Sequence, residues 1–230
     1  MYRAWITQTG AHRLFSEIHG GACRPPCTWH CPCLATPYLD ASSLSISQAI
    51  GPSSYGEIRR HKTLNISQKI VNDFVANDIS FVTTVPCKQL AGVIEAVEAR
   101  PEIYHIPSNK EDEGMGLCAG AFMGGKRPAI IMQNTAIGVT INTLATLIQF
   151  YRMPLPMLIS YRGELREPVA CQVEMAVHTK ALLAQLHIPT YHFHKESDAD
   201  ELDAILKYTF MCNKPVAILT DASFWGGYGE

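Results

Sequence analysis

Glu111-Asp112-Glu113-Gly114-Met115-Gly116-Leu117-Cys118-Ala119-Gly120-Ala121-Phe122 decides the fold. Three carboxylates head a run of small residues, and Ile103-Tyr104-His105-Ile106 before it and Pro128-Ala129-Ile130-Ile131-Met132 after it read as strands. Strand, acidic helix start, small-residue helix and second strand make one βαβ unit. Carboxylates suit a helix N-terminus, where the macrodipole favours negative charge. Glycines inside a helix cost about 1 kcal/mol each relative to alanine, so those of this run imply that something packs close to its backbone. Alone, the same residues would also suit a solvated first turn lying against a sheet.

Working outward, the pattern repeats on both sides. Ile66, Ile70, Val71, Phe74 and Val75 recur at helical spacing, with Asn65 or Ser67 as candidate caps and Asn77-Asp78 as a stop. Residues 79–84 read as a strand, and Pro86 ends it before a helix that runs to about Glu98. Further strands are predicted at 103–106, 128–132, 155–160, 189–193 and 215–219, with helices at 111–124, 138–151, 174–186 and 197–210. The expected fold is α/β, a largely parallel six-stranded sheet with helices on both faces. Strands 129–132, 156–159 and 216–219 are apolar throughout, as both-face burial requires. Ligands of such sheets bind at the carboxyl ends of the strands. Val85-Pro86-Cys87-Lys88, the 111–113 acids, Gln133-Asn134-Thr135 and Ser160-Tyr161-Arg162-Gly163-Glu164 should therefore meet on one rim.

Composition narrows the function. With 230 residues, 47% hydrophobic, and a net charge of −2, the chain can bury one core but has no electrostatic footprint for nucleic acid or an anionic membrane. Its apolar stretches are too broken to span a bilayer, and the start lacks a secretory pattern, so a cytoplasmic protein is expected. Residues 1–62 are rich in Ser, Gly, Pro and Cys without a sustained period, and are expected to be an irregular extension. The domain is expected over 63–222, with 223–230 as a tail. Within the extension, Cys23, Cys27, His30, Cys31 and Cys33 are zinc-type donors, but three prolines break an irregular spacing, and no second ligand pair follows. No G-x-G-x-x-G opens the first helix, and P-loop and nucleophile-elbow signatures do not occur.

Taken together, Val85-Pro86-Cys87, Glu111-Asp112-Glu113-Gly114 with Cys118-Ala119-Gly120-Ala121, Met132-Gln133-Asn134, and Ser160-x-Arg162-Gly163-Glu164 resemble one family. They look like the pyrimidine-binding domain of thiamine-diphosphate-dependent decarboxylases, specifically the group of sulfopyruvate decarboxylase α subunits and phosphonopyruvate decarboxylases. The resemblance covers about residues 64–222. It implies a glutamate that hydrogen-bonds N1′ of the cofactor's aminopyrimidine and promotes its imino tautomer. It also implies a 2-keto acid substrate, with the cofactor as electron sink for loss of CO2. Such a carboxyl group belongs in a poorly solvated place.

Family spacing, counted back from Gly120, points to Glu111, while the Glu-Gly pair of related enzymes points to Glu113. By the same resemblance Pro86, Gln133, Asn134 and Asn142 are cofactor-side positions, although 133 and 134 would also serve as ordinary loop amides. Thr135-Ala136-Ile137-Gly138-Val139 departs from the family's usual loop. Arg162 and Lys88 are candidates for the substrate's sulfonate or phosphonate. Arg162 would alternatively pair with Glu164 or Glu167, and Lys88 would alternatively be a surface lysine. His105 and His178 are weaker proton-relay candidates. The family's Gly-Asp-Gly motif for Mg²⁺ and diphosphate does not occur here. The resemblance therefore implies a hetero-oligomer in which a β subunit supplies that half and the Mg²⁺ ligands. The alternatives are the same chemistry on phosphonopyruvate or another 2-keto acid, and a non-catalytic module of the same fold.

Overall fold

The computed structural model describes residues 54–165 and 167–227, with side chains from 65 onward. The Cys23–Cys33 cluster lies outside them. Helix α1 (Ser54–Ala76) leads into β1 (Ile79–Thr84), and a 3₁₀ turn at Lys88–Leu90 opens α2 (Ala91–Glu98). There follow β2 (Tyr104–Pro107), α3 (Glu111–Met123), β3 (Arg127–Gln133) and α4 (Ala136–Thr143), the last continued by a π-helical turn over Leu144–Gln149. Next come β4 (Leu155–Ser160), α5 (Ala170–Gln185) and β5 (Thr190–Phe193). A 3₁₀ turn at Glu196–Glu201, α6 (Leu202–Cys212) and β6 (Pro215–Thr220) complete the series.

All six strands are parallel, in the order β2-β1-β3-β4-β6-β5. Alternate residues of the central strands enter two separate cores. Ala129 and Ile131 of β3 pack with α1, α2 and α6, while Ile130 and Met132 pack with α3, α4 and α5. Val216 and Ile218 against Ala217 and Leu219 divide β6 in the same way. This two-sided burial is why these strands read as unbroken apolar runs. The edge strands β2 and β5 have four residues each and are more exposed, which limits edge pairing.

Apart from the turn between α2 and β2, every passage from a helix to a strand includes one residue at positive φ: Asp78, Gly125, Arg152, His187 and Asn213. Such left-handed residues end helices by capping their last carbonyls. Asp78 bears out the expected stop of α1. The start of α1 differs from expectation: the helix begins at Ser54, so Asn65 and Ser67 lie inside it and cap nothing. The sequence before Asn65 lacks an apolar stripe to reveal that extension. At the other end Phe224 and Trp225, within the expected tail, are buried and stack edge-on with ring centroids 4.8 Å apart. Isolated aromatics after a strand have no period to mark them as core.

Candidate functional site

The chain leaves β1 toward the α2 face and leaves β2 and β3 toward the α3 face. The crevice between β1 and β3 is therefore a topological switch point, where open α/β sheets bind ligands. Helix α3 stands over it. Gly114 presses that helix onto the sheet: a Cβ there would lie 2.9 Å from Ser108 Oγ, 3.2 Å from Ile130 Cδ1 and 3.3 Å from Thr83 Cγ2. The close packing implied by the sequence is thus real at Gly114. Gly116 and Gly120 face outward instead, and a Cβ at either would have nothing within 4 Å.

The three acids at the start of α3 have different tasks. Glu113 is exposed, and its carboxylate accepts the Asn109 N–H at 3.3 Å. Asp112 accepts the Glu113 N–H at 3.0 Å. Both therefore serve donors at the helix start, as in helix capping. Glu111 is half-buried at the first helical position, beside the switch crevice.

On the same rim, the segments that follow β1, β3 and β4 are joined by a polar network. Cys87, buried, shares a 3.1 Å hydrogen bond with the Ser160 hydroxyl and donates to Gln133 Oε1 at 3.6 Å. The Gln133 amide donates to Thr135 Oγ1 (3.0 Å) and to Gln172 Oε1 (2.8 Å) on α5. Asn134 is fully buried. Its amide donates to the Arg162 carbonyl (3.0 Å) and Thr179 Oγ1 (3.2 Å), and its Oδ1 accepts the Arg162 N–H (3.2 Å). Gln133 and Asn134 therefore lie where expected, and Asn134 ties the loop after β4 to α5.

In that loop Arg162 points its guanidinium at Glu167. Nε donates to Oε2 at 2.8 Å, and an Nη2 contact to Oε1 completes a bidentate pair. The Glu167 side chain is fully buried and also accepts the N–H groups of Gly163 (3.0 Å) and Val169 (3.1 Å). Gly163 allows this at φ +97°, where a Cβ would lie 2.6 Å from Ala176 Cβ and collide with the Gln172 carbonyl. The structural ion pair is thus formed, with Glu167 as the partner.

The remaining candidates are spread out. Pro86 and Lys88 are exposed on the rim, and Asn142 is exposed near the end of α4. His105 lies at the edge strand, 2.9 Å from Thr84 Oγ1 and 3.6 Å from Glu98 Oε1, and burial lowers its pKa, with Glu98 pulling the other way. His178 is exposed on α5. Two concavities lie elsewhere. One, at the N-terminal ends of β4 and β6, is lined by Gln149, Arg152 and Lys214, and another lies between α1 and α2 around Asn72 and Arg100.

Sequence reasoning missed a second cluster on the same rim. His192, His194, Asp221 and Glu164 converge beyond β4, β5 and β6, with one possible ligand atom from each lying within 4.8 Å of the others. A signal existed: a His-x-His pair at a strand end puts both imidazoles on one face. Gln172 was also missed as a working part, and Cys87 and Ser160 were read only as rim and motif residues.

The fold and rim define an α/β domain with a parallel sheet and an acid-headed helix over its switch crevice. The fold is shared with 2-oxoglutarate:ferredoxin oxidoreductase from Magnetococcus marinus, at a TM-score of 0.57 and 12% identity over 69% of this chain. The match spans only 29% of that longer chain. No family model matches the chain. Sulfopyruvate decarboxylase subunit alpha of Methanococcus maripaludis is 36% identical over 169 residues, covering 70% of this chain and 98% of that one. The same-named subunit of Methanocaldococcus jannaschii is 36% identical over 163 residues, covering 69% and 95%. A sulfopyruvate decarboxylase of Methanosarcina acetivorans is 28% identical over 70% of this chain, but the match spans only 41% of that protein. The chain belongs to the sulfopyruvate decarboxylase α-subunit family.

Proposed function

We propose that this chain is the α subunit of a two-subunit, thiamine-diphosphate-dependent carboxy-lyase that converts 3-sulfopyruvate to sulfoacetaldehyde and CO2, a reaction of coenzyme M biosynthesis. The observation that carries the reading is Glu111 at the head of α3, half-buried like Asp112, whereas Asp112 and Glu113 both accept backbone donors. That division of labour supports Glu111 as the acid that would hold the aminopyrimidine ring. Pro86 would shape the mouth of the crevice, and Gln133, its amide held by Thr135, Gln172 and Cys87, would line it from the end of β3. Asn142 fits this role less directly, since it stands exposed on α4. The bound cofactor supplies an electron sink for the pair released when the carboxylate leaves as CO2.

The other residues position and attract. Asn134 and the Arg162–Glu167 pair hold the loop after β4 in place. Lys88, exposed on the rim, offers a cation to the substrate's sulfonate. The alternative role for Arg162, direct contact with that anion, would have to compete with a buried carboxylate.

A half-buried acid in a single chain needs a covering surface to complete its desolvation. That need, the subunit names of the relatives and the longer M. acetivorans protein support a partner that brings the diphosphate half and its Mg²⁺.

The test is reconstitution with the partner, thiamine diphosphate and Mg²⁺, following CO2 release from sulfopyruvate and from phosphonopyruvate. Activity is expected only in the mixture and with sulfopyruvate preferred. Glu111→Gln should lower it by about 10²–10⁴-fold, the usual worth of a positioned proton-transfer group, and Glu113→Gln by only a few-fold. Full activity in Glu111→Gln would remove the catalytic assignment, and a preference for phosphonopyruvate would move the substrate.

A further inference from the structure

We propose that Glu164, His192, His194 and Asp221 form a structural site for a divalent cation of the zinc class, separate from the Glu111 crevice. The topology assembles it. β4, β6 and β5 are neighbours in the sheet, and the four residues lie on or just beyond their C-terminal ends. His192 and His194 share a face of the β5 end, with ring centroids 3.8 Å apart. Asp221 follows the last residue of β6, and Glu164 belongs to the loop after β4.

The chemistry of the donors suits the ion. Two imidazoles and two carboxylates are usual zinc ligands, and the two carboxylates match its charge. Tetrahedral coordination with bonds of about 2.0–2.2 Å places donors roughly 3.3 Å apart. The ligand atoms already lie within 4.8 Å of one another, so small side-chain rotations close the site.

Asp221 is the second, independent observation. Its side chain is 1% exposed. Oδ1 accepts the Phe224 N–H at 2.9 Å, and Oδ2 is in ion-pair contact with His194 Nδ1 and lies 3.4 Å from His192 Nε2, although neither approach completes a hydrogen bond. His192 Nε2 is likewise buried without one. A buried carboxylate oxygen held between two imidazoles at poor hydrogen-bond geometry is an arrangement that a shared cation completes.

One residue opposes the ion. Lys180 Nζ lies 2.9 Å from His192 Nδ1 and 4.9 Å from the Tyr161 ring centroid. Donation by that ammonium keeps the imidazole proton on Nε2, where a metal would bind. Ligation by Nε2 moves the proton to Nδ1 and displaces the ammonium, which is free to leave because Lys180 is exposed. Lys180 is therefore a competitor, and its removal should tighten binding. Four protein ligands leave no open position, so the ion would cross-link three strand ends and not act on substrate.

The test uses the full chain with Co²⁺ as probe, in a background where Cys23, Cys27, Cys31 and Cys33 are serine, so that thiolates of the N-terminal cluster do not contribute. About one Co²⁺ per chain is expected, with the visible bands of tetrahedral coordination and without thiolate charge-transfer absorption. His194→Gln, at an exposed imidazole, should weaken binding at least tenfold, and Asp221→Asn should do the same. Lys180→Met should strengthen it several-fold, a gain that misfolding cannot produce. Equal Co²⁺ affinity in the background chain, His194→Gln and Lys180→Met would overturn the proposal, as would no uptake by the background chain.

Discussion

Glu167 shows how much of this rim rests on single groups. Its fully buried carboxylate takes a bidentate guanidinium from Arg162 and two backbone N–H groups, from Gly163 and Val169. Removing one partner of such a buried pair costs about 3–5 kcal/mol. Glu167→Gln should therefore lower the urea midpoint of the chain by that order of free energy. Arg162→Met combined with Glu167→Leu should recover part of the loss, because a matched apolar pair strands no charge. Equal losses in the single and double variants would mean that the backbone contacts of Glu167, not its pairing, carry the stability. The sequence left Arg162 open between a substrate anion and Glu164 or Glu167. Spacing alone could not choose, because the loop's conformation depends on Gly163 fitting against Gln172 and Ala176 of α5. Asn134 was legible as a rim residue for the same reason that its task was not: strand length predicts position, whereas its partners Arg162 and Thr179 come from other elements.

Elements were easier to foresee than contacts. The apolar runs of β3, β4 and β6 and the acidic head of α3 were readable because each element's own residues set its period and caps. Boundaries failed at the start of α1, which no apolar stripe marks, and at Phe224 and Trp225, whose burial depends on other elements. The edge strand β2 offers a measurable case. Among the described residues it pairs only with β1, and its own residues are partly exposed, so the half-buried His105 is one of its ties, reaching Thr84 Oγ1 and facing Glu98 of α2. Burial lowers the His105 pKa from its ordinary 6.5, with Glu98 partly offsetting. The folded chain thus favours the neutral imidazole, and the unfolded chain takes a proton more readily. The stability tied to this group is present above pH 6.5 and is lost as pH falls through the lowered folded-state value. The protection of β2 amides, corrected for the base-catalysed intrinsic exchange rate, should fall over that interval before that of the rest of the sheet. In His105→Gln this loss of protection should disappear, and an unchanged pH profile in that variant would show that another group is responsible.

At the scale of the whole molecule, the outer face of α3 makes little sense in one chain alone. Gly116 and Gly120 are exposed, with open space where a Cβ would stand, and Met123 beyond them is 64% exposed. Two glycines inside a helix each forgo about 1 kcal/mol relative to alanine, and nothing among the described residues approaches them to offset it. Our reading of the chain as half of an enzyme supplies the missing neighbour: a partner surface that approaches this backbone closely and covers the Glu111 crevice as it does so. The isolated chain and the complex should then respond in opposite directions. Gly116→Ala with Gly120→Ala should raise the thermal midpoint of the isolated chain, since both sites are helical and open. Gly116→Leu with Gly120→Leu should leave that chain folded but weaken its assembly with the partner by at least tenfold, measured by light scattering of the mixture. Decarboxylation should fall in step with assembly and recover at high partner concentration, because no group that touches substrate has changed. Undiminished assembly of the leucine variant would move the subunit contact off this helix, and with it the source of the cover that Glu111 requires.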